Sequence, residues 1–278
     1  MTQPPSRMKL KLRKFDISSV RDDAVIIMLG KRNTGKSFLC KDLLSYHTDM
    51  PTGVVISGTE SSNGFYSKIF PPLFIYDEYK PEIVDNLVRR QKMVVKQKNK
   101  PGGHDVDPRV VFIMDDCLYD DSWTRDVNIR SIFMNGRHMK IMFIFTMQYP
   151  LGVPPVLRAN IDYVFILREQ IVNNRRRIYE NYCGMLPTFD VFCSVLDQTT
   201  ENYECLVVDN TSRSNKIEDQ IFYYKAEEAP NFTIGSRELW NTSANRMGSD
   251  SDDDGDDVLD PSKAGKKGKI RLRVVKKR

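Results

Sequence analysis

The sequence predicts an α/β fold: a mainly parallel sheet with helices on both faces. Two observations predict it. Short, wholly apolar runs of strand length recur along the chain, as expected of strands buried on both faces. Helical segments separate them, and such alternation is what strand–helix–strand units with a parallel sheet require.

The first such strand is Ala24–Leu29 (AVIIML), followed by a glycine-containing turn and a helix near Ser37–Tyr46. Strands at Gly53–Ser57 and Leu73–Tyr76 come next, then a helix over Pro81–Lys98. The strand Val110–Met114 (VVFIM) precedes a helix near Val127–Arg137, and Ile141–Thr146 (IMFIFT) precedes a short helix at Val156–Asn160. Tyr163–Leu167 (YVFIL), helices at Asn174–Cys183 and Thr188–Leu196, and late strands at Glu204–Val208 and Gln220–Tyr224 complete the series. Residues 1–235 are thus expected to form one domain. From Ser236 the pattern dissolves, and residues 236–278 are expected to be a disordered tail, acidic at Asp250–Asp260 and basic at Lys263–Arg278. That tail reads equally as a basic arm for DNA or nuclear import and as a solvated segment.

Composition sets limits on partners. The 278 residues carry 42 Lys and Arg against 37 Asp and Glu; nine and seven of these fall from Asp250 onward, leaving 33 and 30 in the body. A body so nearly neutral can meet nucleic acid only through local patches. The five cysteines (Cys40, Cys117, Cys183, Cys193, Cys205) show no C-x-x-C spacing, which predicts reduced thiols and neither zinc nor a disulfide framework. The first residues lack a signal-peptide core, and no apolar run approaches the ~20 residues that span a bilayer. A soluble, non-secreted protein without a membrane span is expected.

The chemistry starts at Gly30-Lys31-Arg32-Asn33-Thr34-Gly35-Lys36-Ser37, a complete G-x-x-x-x-G-K-[ST] loop between an apolar strand and a helix. Its glycines let successive N–H groups converge on phosphate oxygens, and the helix beginning near Ser37 points its positive end at the same anion. Lys36 can reach the β- and γ-phosphates and Ser37 can ligate Mg²⁺, which makes this a P-loop NTPase with ATP as the expected nucleotide. In Val110–Asp116 (VVFIMDD) an apolar strand ends in acids at the sheet edge where ligands bind. Asp115 is the candidate Mg²⁺ ligand and Asp116 the candidate acceptor that orients or deprotonates the attacking water. In Ile141–Pro150 (IMFIFTMQYP), a third strand delivers Thr146 and Gln148 to the same edge, where the Gln148 amide can bridge the γ-phosphate and the lytic water.

Together, GKRNTGKS (30–37), VVFIMDD (110–116), NGRHMKI (135–141), FTMQYP (145–150) and PPVLRANIDYVFIL (154–167) resemble the FtsK–HerA superfamily of DNA-pumping ATPases. Within it they look like the poxvirus-type genome-packaging ATPases of large DNA viruses. The resemblance covers about Phe15 to Lys225. It implies a Gln strand lying between the phosphate-loop strand and the acidic (Walker B) strand. It also implies a homo-oligomeric ring, hexamer or pentamer, with ATP sites at subunit boundaries, acting on double-stranded DNA without sequence preference. A capsid or vertex protein as partner follows, as does a location in the host cytoplasm where virus assembles, in the nucleus, or with the virion. One departure stands out: the wider superfamily often has Glu where this chain has Asp116.

A ring can supply a transition-state arginine from the neighbouring subunit, and Arg137 and Arg158 are the candidates, each equally readable as a local salt-bridge arginine. Arg89, Arg90, Lys92, Lys96, Lys98 and Lys100, and separately Arg175–Arg177, could track a DNA backbone or simply decorate helices. The function expected is ATP-driven translocation of viral DNA into a capsid. Alternatives are a helicase-like or DNA-segregation pump, a small-molecule kinase, or a non-hydrolysing virion protein.

Overall fold

In the computed structural model, residues 10–103, 105–117 and 122–251 are described. Their strands are β1 (Arg13–Lys14), β2 (Val25–Leu29), β3 (Gly53–Ser57), β4 (Ile75–Tyr76), β5 (Val110–Asp115), β6 (Ile141–Met147), β7 (Tyr163–Ile166), β8 (Glu204–Asp209) and β9 (Ile221–Lys225). The helices are α1 (Lys36–Ser45), α2 (Glu60–Asn63), α3 (Pro81–Lys98), α4 (Val127–Asn135), α5 (Pro155–Arg158), α6 (Val172–Tyr182), α7 (Phe189–Thr199) and α8 (Arg237–Ser251). The strands form one sheet in the order β1-β9-β8-β7-β2-β6-β5-β3-β4. From β7 to β4 every pairing is parallel, whereas β8 runs antiparallel to both β7 and β9. The fold is therefore α/β, with a mostly parallel sheet.

β2, β5, β6 and β7 are buried at every position, which is why their sequences are unbroken apolar runs rather than alternations. Alternate residues still serve different layers. Ile27, Phe112, Phe143 and Phe145 face the layer of α3, α4, α6 and α7, through Leu87, Ile132, Ile178 and Phe192. Ile26, Met28, Ile113 and Ile144 face α1 through Leu39 and Leu43. Within the first layer, Phe143 stacks on Phe112 (centroids 5.1 Å, 12°) and meets Phe133 edge-on at 5.1 Å. β6, the strand before Gln148, lies between β2 and β5.

Two expectations are corrected. Leu73–Tyr76 is a strand only at Ile75–Tyr76, because Pro72 opens a 3₁₀ turn through Phe74. The tail expected from Ser236 does not begin there, since Arg237–Ser251 form α8. The Ser236 hydroxyl accepts from the Leu239 N–H at 3.3 Å, the Trp240 indole donates to the Ile234 carbonyl at 3.1 Å, and the buried Ser243 hydroxyl accepts from the Leu73 N–H at 3.0 Å. α8 docks through such hydrogen bonds, so its apolar pattern is faint. The rest of the expected tail, 252–278, lies outside the described residues.

Phe143→Ala removes a fully buried ring from the centre of this packing and is expected to cost ~3–5 kcal/mol in urea denaturation; a loss within ~1 kcal/mol would mean the site collapses to fill the void.

Candidate active site

β2 runs straight into the loop Gly30–Ser37, and the Gly30 N–H still pairs with the Met147 carbonyl of β6 at 3.0 Å. The chain then reverses through two left-handed residues, Asn33 (φ 60°) and Gly35 (φ 100°), and α1 starts at Lys36. A β-carbon at Gly30 would sit 2.6 Å from Thr34 Oγ1 and 2.9 Å from Leu167 Cβ, so the loop closes only around a bare backbone there. Lys36 folds back into the loop, donating from Nζ to the carbonyls of Gly30 at 2.7 Å and Lys31 at 2.9 Å. Burial lowers its pKa, while Asp116 and Asp115 favour its charge. The ammonium is thus a cation held by main-chain dipoles in the concavity of the loop.

Opposite it, β5 ends at Asp115, in register with Thr146 on β6. The Thr146 hydroxyl donates to Asp115 Oδ1 at 2.5 Å and accepts the Asp116 N–H at 3.1 Å. Asp115 is 5% exposed, and burial pushes its carboxyl up against the pull of Thr146, Tyr66 and Lys36. Asp116 takes a left-handed backbone (φ 55°), which turns the chain so that the Gln148 amide donates to Asp116 Oδ2 at 2.5 Å. The next residue, Cys117, is buried, and its thiol is pushed up to about 12, which makes it an inert packing group.

Arg32, Asn33, Lys36, Ser37, Asp115, Asp116 and Gln148 line one cleft of about 460 Å³ at the C-terminal edge of the sheet. A wider cleft of about 940 Å³ opens beside it, sharing Arg32, Thr59, Asp116 and Gln148. The donor set fits an anion at the loop and a hard cation at its rim. Ser37 and Asp115 offer oxygen ligands, and among the described residues no cluster of three or more His, Cys, Asp or Glu forms a metal cage. A cation bound by one or two protein oxygens, completed by phosphate and water, is the usual circumstance of Mg²⁺.

Arg137 and Arg158 do not enter this cleft. Arg137 pairs with Asp162 Oδ1 at 3.2 Å at the opposite edge of the sheet, sharing that oxygen with Arg21 at 2.9 Å. Arg158 donates to the Val153 carbonyl at 3.0 Å and lies 6.0 Å from the Tyr182 ring. Arg175 is tied to Asp197 at 2.6 Å, Arg176 covers Phe189 at 4.3 Å and Arg177 covers Tyr149 at 5.3 Å. In α3 Arg89 pairs with Asp85, whereas Lys92 and Lys96 are exposed.

Sequence reasoning missed Glu169. It lies just beyond β7, almost buried, and takes Lys31 of the loop at 2.9 Å while accepting the Gln170 and Ile171 N–H groups in the turn that leads into α6. Burial works against its charge, yet the Ile171 N–H, Lys31 and Asn174 hold its carboxyl below the usual range. The available signal was a carboxylate between a strand and a helix start.

No protein-family model matches the chain. It is 40% identical over 235 residues to the uncharacterized protein L437 of Acanthamoeba polyphaga mimivirus, covering 83% of this chain and 82% of that protein. It is 40% identical over 205 residues to the uncharacterized protein 075L of Invertebrate iridescent virus 6, covering 73% and 77%. In fold it is similar to the genome packaging NTPase B204 of Sulfolobus turreted icosahedral virus 2, crystallised with AMP (TM-score 0.52, 16% identity), over 75% of this chain and 100% of B204.

The raised pKa of Asp115 has a sign that can be tested. The fold favours its neutral form, so nucleotide-free stability declines as pH rises from the ordinary carboxylate range through the raised value. Asp115→Asn is expected to raise the thermal midpoint of the nucleotide-free protein by a few degrees at neutral pH while losing Mg²⁺-dependent nucleotide binding. Calorimetry from acid to neutral pH checks this; a variant less stable than wild type throughout would contradict it.

Proposed function

We propose that this chain, which belongs to the family of viral proteins that includes mimivirus L437 and iridescent virus 075L, is an ATP-driven motor that moves double-stranded viral DNA into the capsid. The observation supporting this reading is the meeting of Lys36, Ser37, Asp115, Asp116 and Gln148 in one cleft, with the Gln strand between the other two.

The loop amides of Gly30–Ser37 and the Lys36 ammonium bind and orient the triphosphate. Ser37 and Asp115 would hold Mg²⁺, which when bound neutralises charge on the phosphate oxygens. Asp116 accepts the proton of the attacking water, and Gln148, bonded to one of its oxygens, fixes the direction of the carboxylate. Thr146 holds both acids in register. Since Gln148 continues into the loop of Tyr149 and Leu151, a change at the γ-phosphate moves an exposed surface segment.

Arg137 or Arg158 completes the site of the next subunit in a hexameric or pentameric ring, because neither reaches the cleft of its own chain. Arg137 can leave Asp162 without stranding a buried carboxylate, since Arg21 stays on the same oxygen. Exposed Lys92, Lys96 and Lys100 supply phosphate contacts without base readout. A capsid or vertex protein is the docking partner in this scheme.

Lys36→Ala is expected to lower ATPase activity by at least ~10²-fold with unchanged circular dichroism. Linear duplex DNA is expected to stimulate the wild type, in an assembly whose mass is that of a ring. Wild-type-like turnover in Lys36→Ala would falsify the assignment, and DNA-independent turnover by a monomer would remove the motor.

Mixing distinguishes the arginines. Rings combining Lys36→Ala subunits with Arg137→Ala or Arg158→Ala subunits are expected to recover activity for the arginine that acts in trans; no recovery with either rules both out.

A further inference from the structure

A second cavity of about 450 Å³ adjoins the phosphate cleft and shares Gly35 and Phe38 with it. Its character is different. Leu39, Leu167 and Cys205 form a buried apolar floor, and Phe38 and Tyr203 stand at its rim. Both rings are exposed, Phe38 at 46% and Tyr203 at 72%, so water covers apolar surface that the fold itself does not use.

Tyr203 is held there at some cost. Asn202 (φ 51°) and Tyr203 (φ 65°) are consecutive left-handed residues in the turn between α7 and β8. An aromatic residue seldom adopts that backbone, and such positions are kept where the surroundings or a ligand require them. The turn carries the ring over the start of α1: its Cδ1 is 3.7 Å from where a β-carbon on Gly35 would lie. Gly35 itself is required by its left-handed backbone (φ 100°), and its bare Cα forms part of the border between loop and slot.

The lining side chains include no amide, carboxylate or aliphatic hydroxyl; Lys225 adds one flexible donor. A ligand here is recognised by a flat, polarisable face and not by a pattern of donors and acceptors. Resting on the nucleotide reading of the loop, we propose that this slot takes the nucleobase of the bound triphosphate, with Tyr203 as its stacking residue and Phe38 as the second wall. The consequence is a broad nucleotide preference in which ATP and GTP bind comparably, since the wall has no fixed donor–acceptor pair to read the edge that distinguishes adenine from guanine, and Lys225 is a single flexible donor.

The test compares binding of Mg²⁺ complexes of ATP, GTP and inorganic tripolyphosphate by titration calorimetry. Tyr203→Ala is expected to weaken ATP and GTP about tenfold while leaving tripolyphosphate unchanged, and Tyr203→Phe to bind all three as wild type does. Phe38→Ala, on a different element, is expected to act in the same direction and carries the test should Tyr203→Ala fail to fold. Unchanged ATP affinity in both alanine variants, or parallel loss of tripolyphosphate, overturns the slot. A wild-type preference for ATP over GTP of more than about a hundredfold overturns edge-blind recognition. Should wild type bind neither ATP nor tripolyphosphate, the phosphate-loop reading itself fails, an outcome distinct from loss of the slot alone.

Discussion

The four central strands of this sheet have no solvent face, and that single constraint places the polar chemistry. β7, β2, β6 and β5 lie side by side and are buried throughout, so charged groups can emerge only where the strands end. The two ends use their charges differently. At the N-terminal edge Arg109 is matched by Asp22, Asp49 and Asp107 within 2.9 Å, and Asp162 holds both Arg21 and Arg137. At the C-terminal edge Lys36 is held by carbonyls, and Asp115 by a hydroxyl. One edge is self-neutralised. The other keeps charge of both signs ready for a ligand.

Backbone strain follows the same division. Among the described residues, five non-glycine positions have positive φ: Asn33, Asp116, Lys140, Asn202 and Tyr203. All but Lys140 border the loop, the acid pair or the apolar slot, which locates the strain where side chains must be aimed rather than where the core is packed. At Asp116 the turn brings the carboxylate to Gln148 and away from the buried position of Asp115. Adjacent acids thereby acquire different surroundings in the same cleft, Asp115 nearly buried and Asp116 half-buried, a difference suited to separate roles in cation binding and proton transfer.

The phosphate loop and the strands that carry it were legible because their signals are local. Gly30, Gly35, Lys36 and Ser37 lie within one turn of chain, and the apolar runs before Asp115 and Gln148 need no partner to be seen. Glu169 was not legible, because its meaning depends on Lys31, brought to it only by the pairing of β7 with β2. α8 escaped because it docks by hydrogen bonds in which the Trp240 indole donates and the Ser243 hydroxyl accepts, and these leave little trace in hydrophobic periodicity.

By itself the sequence determined the fold class, the phosphate loop and the acids at the end of β5, since each is written in consecutive residues whose chemistry is independent of distant chain. Tertiary structure alone decided the register that sets Thr146 between Asp115 and Asp116, the removal of Arg137 and Arg158 from their own cleft, and the meeting of Phe38 with Tyr203. These depend on which strands become neighbours. That choice is made by packing two apolar layers over one sheet, and no short stretch of sequence encodes it.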